Sequence, residues 1–430
     1  MSTKLPIAIL GAGPIGLAAA AHLAERNQQF VILEAGNSVG AAMESWNHVQ
    51  LFSTWQYNID GAARRLLESR NDPGAAPWEQ PRPTQLPTGR ELIDAYLAPL
   101  AAHPAIAPHL RLQRRVTAVT RTTPTGGSFD KTRTTARGTQ PFLIRFATAT
   151  GEHELTARAV IDATGIWNSP NPVGRSGIHA IGETTAREQA LITSPLPDPL
   201  GAERSQFAGK RVLVLGSGHS AATTLIALGR LRQQDPATEI LWGIRGAADP
   251  GRLFGGEAAD ELPARGQLGA SLRRLVESGN VTLLEGVSVS ELRVESDATP
   301  HRLTVVSADG RTLEVDFLVP ATGFRPDHRI TAELRLALDD ATEAPVALGP
   351  LIAPEFHSCG TVPAHGATAL AHPEKHFYTV GAKSYGRAPT FLLATGYEQV
   401  RSVTAELSGD GEAARQVTLS LPQTGVCSAG

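Results

Sequence analysis

Two stretches of the chain carry the same order of apolar and polar positions. Residues 6–10 (PIAIL) form a short apolar run, a glycine-containing turn follows, and an Ala/Leu-rich stretch, PIGLAAAAHLAE, comes next. Residues 212–215 (VLVL) lead in the same way through GSG into HSAATTLIAL. An apolar run of four or five residues bounded by glycine predicts a buried strand, and the longer Ala/Leu-rich segment predicts a helix. Residues 30–33 (FVIL) then complete a strand–helix–strand unit in the first copy, and EILWGIRG supplies the next strand in the second.

The pattern weakens over residues 40–88, which read as irregular around Trp46, Trp55, Tyr57 and a Pro-rich stretch, PWEQPRPTQLPTG. GRELIDAYLAPLAAH predicts a helix, and residues 110–119 predict a strand. Residues 122–140 lack apolar periodicity and read as a flexible surface hairpin loop. PFLIRFATATGEHELTARAVIDATG reads as strand, turn, strand and closes on Ala163, Thr164 and Gly165. Downstream, DFLVPATGFRPD closes in the same way on Ala321, Thr322 and Gly323. Whole domains are repeated, not a short solenoid unit, and an insertion over residues 40–105 enlarges the first copy.

At 430 residues, 41% of them hydrophobic, the chain has the length for two or three domains and the apolar content for their cores. A net charge of −3 gives no electrostatic footprint for nucleic acid or an anionic membrane. No apolar run reaches the roughly 18 residues that span a bilayer. The amino terminus enters a strand at once, which leaves no room for a signal peptide. Two cysteines exclude a disulfide framework and a Cys-rich metal site. The expectation is a cytoplasmic enzyme.

The chemistry lies in the two turns. Gly11, Gly13 and Gly16 have the G-x-G-x-x-G spacing, and Gly216, Gly218 and Ala221 its variant ending in Ala. The first glycine makes a tight bend, the second lets a pyrophosphate approach the backbone, and the third position lets helix and strand pack closely. Phosphates then sit over a helix N-terminus, where unpaired N–H groups favour negative charge. Pro14 in the first turn, and Ser217, His219 and Ser220 in the second, share these positions. Glu34, followed by Ala35, ends the strand after the first turn; an acid there accepts ribose hydroxyls and repels a 2′-phosphate, so the site suits FAD or NAD. Arg245 stands after the corresponding strand of the second copy, and a guanidinium pairs with phosphate, so that site suits NADPH; Arg252 is a weaker partner for it. A chain with two dinucleotide sites moves electrons between them.

These motifs together resemble flavoproteins with two dinucleotide-binding domains, within them the flavin-containing monooxygenase-like branch and the predicted flavoproteins found near cation-efflux and arsenic-resistance genes. SWNHVQLFSTWQYN, with Trp46, Leu51 and Phe52, resembles the family's W…RLFTP segment beside the flavin, and LPTGRELIDAYL its PT-x-x-E-x-x-x-YL helix. IDATGIWNSPNP resembles the stretch that lies against FAD, and FAGKRVLVLGSGHSA the approach to the NADPH site. PATGFRPD and VGAKSYGRAPTFLLATGYEQV resemble the return to the FAD domain, where a helix N-terminus near Gly381 points at the flavin. Three positions depart. The signature F-x-G-x-x-x-H-x-x-x-Y retains only His179; Ala382 follows Gly381 where many relatives have Asp; and Thr54 stands where better-studied monooxygenases have Asn.

The resemblance implies an α/β fold of two Rossmann-like, three-layer domains, the NADPH domain inserted in the FAD domain: residues 1–175 and 320–430 bind FAD, and residues 176–319 bind NADPH. It implies an NADPH-consuming monooxygenase that puts one oxygen from dioxygen into sulfur, nitrogen or trivalent arsenic, with Trp46, Phe52 and Trp55 keeping the flavin dry. No C-x-x-C occurs, yet Cys359 and Cys427 remain; a reductase passing electrons through them to a disulfide, quinone or metalloid is the alternative, and a redox sensor the non-catalytic one. His357, His365, His372 and His376 cluster without a zinc spacing and read as loop histidines.

Overall fold

The computed structural model describes residues 5–69, 77–123, 125–127, 132–254, 263–295, 302–354, 362–389 and 391–419. The chain divides into two compact units, and the described part of the second, residues 170–324, interrupts the first, residues 5–169 and 325–419.

The first unit is built on a five-stranded parallel sheet in the order Phe377–Thr379, Ala159–Asp162, Ile7–Leu10, Phe30–Leu33, Leu110–Arg111. Every residue of Ile7–Leu10 is buried, as a central parallel strand covered on both faces requires. Side chains alternate with period two. Ile7, Ile9, Ile32 and Ile161 join a core with Leu17, Leu23 and the alanines of the helix Pro14–Glu25 and with Val400 and Val403 of the helix Leu393–Leu407. Ala8, Leu10, Leu33 and Val160 face the other way, onto Val119, Phe142 and Ile144. Those residues belong to an antiparallel sheet of Arg115–Arg121, Phe142–Thr148 and Gly151–Ala157.

The second unit repeats this plan. Its parallel sheet runs Thr282–Leu284, Glu239–Gly243, Arg211–Leu215, Phe317–Pro320. Val212, Val214, Ile240 and Trp242 pack with Leu225 and Leu228 of the helix His219–Gln234 and with Leu272 of Pro263–Glu277. Leu213, Leu215, Leu241 and Leu318 pack with Leu292, Leu303 and Val305 of an antiparallel sheet of Val289–Glu295, Arg302–Ser307 and Thr312–Val315. In each unit a parallel sheet is sandwiched between helices and a small antiparallel sheet, the two-domain Rossmann-like α/β fold expected.

Three local expectations are corrected. Residues 40–88 are not irregular throughout: Ala41–Glu44, Trp55–Asn58 and Gly61–Glu68 are helical. Gly61–Glu68 is started by Asp60, whose carboxylate accepts from Ala63 N at 2.9 Å, a cap worth about 1 kcal/mol. Residues 110–119 divide between Leu110–Arg111 in the parallel sheet and Arg115–Arg121 in the antiparallel one. The described end of the 122–140 segment is docked: Arg137 is buried and donates to Thr120 Oγ1 at 3.1 Å and to Glu333 O at 3.3 Å. The helix expected over GRELIDAYLAPLAAH starts at Thr88 in a capping box with Glu91 and widens into a π-turn at Ile93–Leu97 before Ala98–Ala101.

Candidate functional site

The first glycine turn closes on itself by contact. Gly11 has φ +99°, and an added Cβ would lie 2.7 Å from Ala163 O. A Cβ on Gly16 would collide with Gly11 O, so this position sets how closely the helix Pro14–Glu25 approaches its strand. Gly13 differs from both: a Cβ there would meet nothing within 4 Å. It is the N-cap of the helix, without a side-chain cap among the described residues and without an acid in the first turn. Open space in front of a helix start with unclaimed N–H donors fits a pyrophosphate. Pro14 is the first helical residue.

Glu34 holds this turn as well as facing it. Its carboxylate accepts from Ala12 N at 2.6 Å and from Gly36 N at 2.7 Å, which places Ala35 inside the bend. Two carboxylate oxygens offer about four lone pairs, so acceptor capacity remains for ribose hydroxyls. Thr164, next to Ala163, is exposed; its N–H and hydroxyl both donate to Asp162, at 3.1 and 2.6 Å. Gly165 follows with φ +69°.

Asp162 and Lys383 were not singled out from the sequence. Both are fully or almost fully buried, and Lys383 Nζ lies 2.7 Å from Asp162 Oδ2 and 3.2 Å from Thr164 Oγ1. Burial raises the Asp162 pKa, but the Lys383 ammonium and the Thr164 hydrogen bonds outweigh it and leave the carboxyl below its ordinary value. Removing one partner of such a pair costs about 3–5 kcal/mol, because the other charge stays buried alone. The readable signal was an ionisable residue ending an apolar run, AVID. Lys383 belongs to the turn Gly381–Tyr385, which follows the strand Phe377–Thr379. Gly381, with φ +71°, lies beside Ile15: its Cβ would be 3.2 Å from Ile15 Cγ1. The turn therefore borders the first cradle.

The second unit repeats the cradle at its first two glycines. Gly216 has φ +127°, and a Cβ there would collide with Ala321 O, as one on Gly11 would meet Ala163 O. Gly218 begins the helix His219–Gln234 with no side-chain cap among the described residues, and its Cβ would also meet nothing within 4 Å. Ser217, Gly218 and His219 are exposed, and Ser220 is half-buried. Trp242, fully buried, donates from Nε1 to Gly216 O at 2.7 Å and fixes the bend. Thr322 donates its hydroxyl to Asn171 O at 3.0 Å, and Gly323 adopts φ +82°.

The register at the strand ends adds one correction. Gly11 N donates to Leu33 O and Gly216 N to Gly243 O, so Glu34 corresponds to Ile244, and Arg245 corresponds to Ala35. Arg245 is thus one position later than the end-of-strand acid. It is exposed, with no hydrogen-bond or ion-pair partner among the described residues. The acidic position itself is filled by buried Ile244.

Other expected residues lie as follows. Trp46 is half-buried, packs on Gly89 and has its ring 6.1 Å from that of Trp167, just beyond Gly165. Thr54 begins Trp55–Asn58 and accepts from Gln56 Nε2 at 3.2 Å. Phe52 is half-buried, and Trp55 is buried in the core cluster that includes the helix Pro14–Glu25. His179, in the second unit, is exposed and pairs with buried Glu183 at 3.2 Å. His365 and His372 are buried, not loop-surface histidines. Burial pushes His372 down to about 4. Cys359, Cys427, His357 and the side chain of Arg252 lie outside the described residues. Among the described residues no group of three His, Cys, Asp or Glu side chains is placed to hold a metal, and no helix is long and apolar enough to cross a membrane.

Residues 9–77 match an NAD(P)-binding Rossmann-like domain, and residues 72–346 match the pyridine nucleotide-disulphide oxidoreductases. No curated protein matches the chain. Among solved structures, bacillithiol disulfide reductase from Bacillus cereus is 17% identical with a TM-score of 0.62, covering 95% of this chain and 99% of that one. A flavin-containing monooxygenase from Stenotrophomonas maltophilia is 20% identical with a TM-score of 0.53, covering 94% and 99%. The ornithine N-hydroxylase of Kutzneria sp. 744, in a complex with reduced FAD, NADP+ and L-ornithine, is 17% identical with a TM-score of 0.57, covering 94% and 100%. At these identities the likeness is one of fold. The matched family and the paired cradles make the chain a flavin-dependent oxidoreductase whose cofactors are FAD and a nicotinamide dinucleotide. The family match spans well over half of the sequence, and the chain belongs to the pyridine nucleotide-disulphide oxidoreductase family.

Proposed function

We propose that this protein is an NADPH-consuming, FAD-dependent monooxygenase that transfers one oxygen atom to a soft nucleophile: sulfur, nitrogen or a trivalent (organo)arsenical. The observation that carries this reading is the pair of cradles with unlike strand ends, Glu34 in one and Ile244 with Arg245 in the other. An acid accepts the ribose hydroxyls of FAD; an exposed guanidinium with no acidic partner among the described residues takes a 2′-phosphate. The lack of any C-x-x-C pair removes the usual route from flavin to a disulfide and favours dioxygen as acceptor. Flavin, when bound, supplies the two-electron chemistry.

The chain's own residues bind, orient and shield. Gly11, Gly13 and Gly16 with the helix Pro14–Glu25 hold the FAD pyrophosphate, and Glu34 and Ala35 its ribose. Ala163, Thr164, Gly165 and Gly381 border the remainder. Gly216, Ser217, Gly218, His219 and Ser220 hold the NADPH pyrophosphate, Arg245 its 2′-phosphate, and Thr322 with Gly323 close that cradle. Trp46 and Phe52 exclude water, and Thr54 faces the substrate. Each turnover consumes one NADPH, one proton and one dioxygen; one oxygen atom enters the product and the other leaves as water.

A reductase is the second reading, favoured by the two cysteines and by the fold likeness to bacillithiol disulfide reductase. One experiment separates them: NADPH consumption with a thioether, amine or trivalent arsenical under labelled dioxygen, repeated anaerobically and with Cys359→Ser and Cys427→Ser. Label in the product and loss of turnover without dioxygen are expected. Anaerobic turnover that collapses in the serine variants would overturn the oxygenase reading.

A further inference from the structure

The turn that borders the first cradle is fastened by a closed hydrogen-bond ring none of whose members is among the cofactor's expected ligands except Gly381. Gln399, two turns into the helix Leu393–Leu407, is completely buried. Its Oε1 accepts from Gly381 N at 2.8 Å. That contact orients the amide, so Nε2 is the donor end. One of its protons goes to Ser384 Oγ at 2.9 Å, and Ser384 donates its own hydroxyl proton to Gly381 O at 2.8 Å. The other goes to His365 Nε2, also at 2.9 Å.

This arrangement fixes the imidazole. His365 Nδ1 lies 3.0 Å from Pro363 O, and a carbonyl only accepts, so Nδ1 carries the ring proton and Nε2 a lone pair. A proton on Nε2 would set two donors against each other. Rotating the Gln399 amide would only move the conflict to Gly381 N. Burial, moreover, holds the His365 pKa below the usual imidazole range. Among the described residues, the charged group that acts on His365 is Glu398, which favours protonation but is claimed by Arg401 at 2.7 and 3.0 Å and by Thr418 at 2.8 Å. Tyr385 faces it from the turn, its ring 5.6 Å away.

The same turn is also held by Lys383, bonded to Asp162 and Thr164. Gly396, one turn before Gln399, packs against Ile15: its Cβ would be 2.5 Å from Ile15 Cδ1. Gln399 therefore stands on the helix that touches the start of the cradle helix, and it grips the residue that touches the same isoleucine. Ala382 follows Gly381, so this turn presents no acidic side chain with which to hold itself on a ligand.

We propose that Gln399, locked by the neutral Nδ1–H tautomer of His365, is a positioning residue that sets the Gly381–Tyr385 turn against the first cradle before FAD arrives. The proposal rests on the reading of that cradle as the FAD site. Its test uses the full-length chain labelled with 15N-histidine, with and without FAD. In the wild type, His365 should show a protonated Nδ1 and a bare Nε2 in both forms, and no titration near neutral pH. In Gln399→Glu, a carboxylate faces Nε2, and the ring should instead take up a second proton at a higher pH than in the wild type. Gln399→Met should weaken FAD binding by about tenfold or more, because the turn loses the acceptor for Gly381 N that holds it against the cradle.

A wild-type His365 carrying its proton on Nε2 overturns the proposal, and this measurement stands even where a variant fails to fold. A Gln399→Met protein with a native thermal transition that retains FAD as tightly as the wild type also overturns it, while leaving the FAD site intact. A wild-type chain that takes up no FAD overturns the reading of the cradle and the proposal together.

Discussion

Glu34 and Ile244 hold the same register position in two cradles of the same design, and the difference between them is one of charge. Glu34 is braced by Ala12 N and Gly36 N, so its carboxylate is fixed at the strand end; in the proposed function it accepts the FAD ribose hydroxyls and repels a phosphate there. Ile244 is buried and offers no charge at all; the next residue, Arg245, is exposed. Removing the guanidinium in Arg245→Ala should raise the dissociation constant for NADPH by about tenfold or more, as expected for one charge-assisted hydrogen bond, and leave that for NADH within about twofold. Equal losses for the two nucleotides, measured by titration of the flavoprotein, would remove Arg245 from the 2′-phosphate site.

Helix against strand, the two copies diverge at the third position of the fingerprint. A Cβ on Gly16 collides with Gly11 O, whereas Ala221 is accommodated, fully buried, in the second copy. Gly16→Ala should therefore push the helix Pro14–Glu25 off its strand, costing about 1–3 kcal/mol and lowering flavin content. Ala221→Gly should cost only the helix-propensity difference of roughly 1 kcal/mol. Thermal unfolding of both variants, read with flavin absorbance, checks the asymmetry. Elements with strong short-range pattern were legible: the apolar runs became central strands, and the Ala/Leu-rich stretches became helices. Gly61–Glu68 was hidden by its Trp- and Pro-rich surroundings, although Asp60 marks its start. The division of residues 110–119 was not legible, because both pieces are β and only non-local pairing assigns them to different sheets.

On the scale of the molecule, the second unit is a sequence insertion within the first, and each unit has its own sheet, helices and core. Gly13→Val should fill the space before the first helix and yield a colourless protein. Gly218→Val should stay yellow, resist reduction by NADPH and still be bleached by dithionite. A yellow Gly13→Val protein, or a Gly218→Val protein reduced by NADPH at the wild-type rate, would contradict the assignment of the two nucleotides to the two units.

The sequence by itself determined the duplicated cradle, since glycine spacing, apolar run and helix lie within some twenty-five residues of one another and their physics is local. It also carried the contrast between an acid after one strand and a base after the other. The tertiary structure alone decided which of those residues correspond, because register depends on pairing: it moved Arg245 one position past the acid and put Ile244 in its place. It alone joined Asp162 to Lys383 and Gln399 to Gly381 and His365. These partners come from distant parts of the chain or from different elements, and no periodicity links them. What joins them is burial, which leaves each polar group only the partner the fold brings to it.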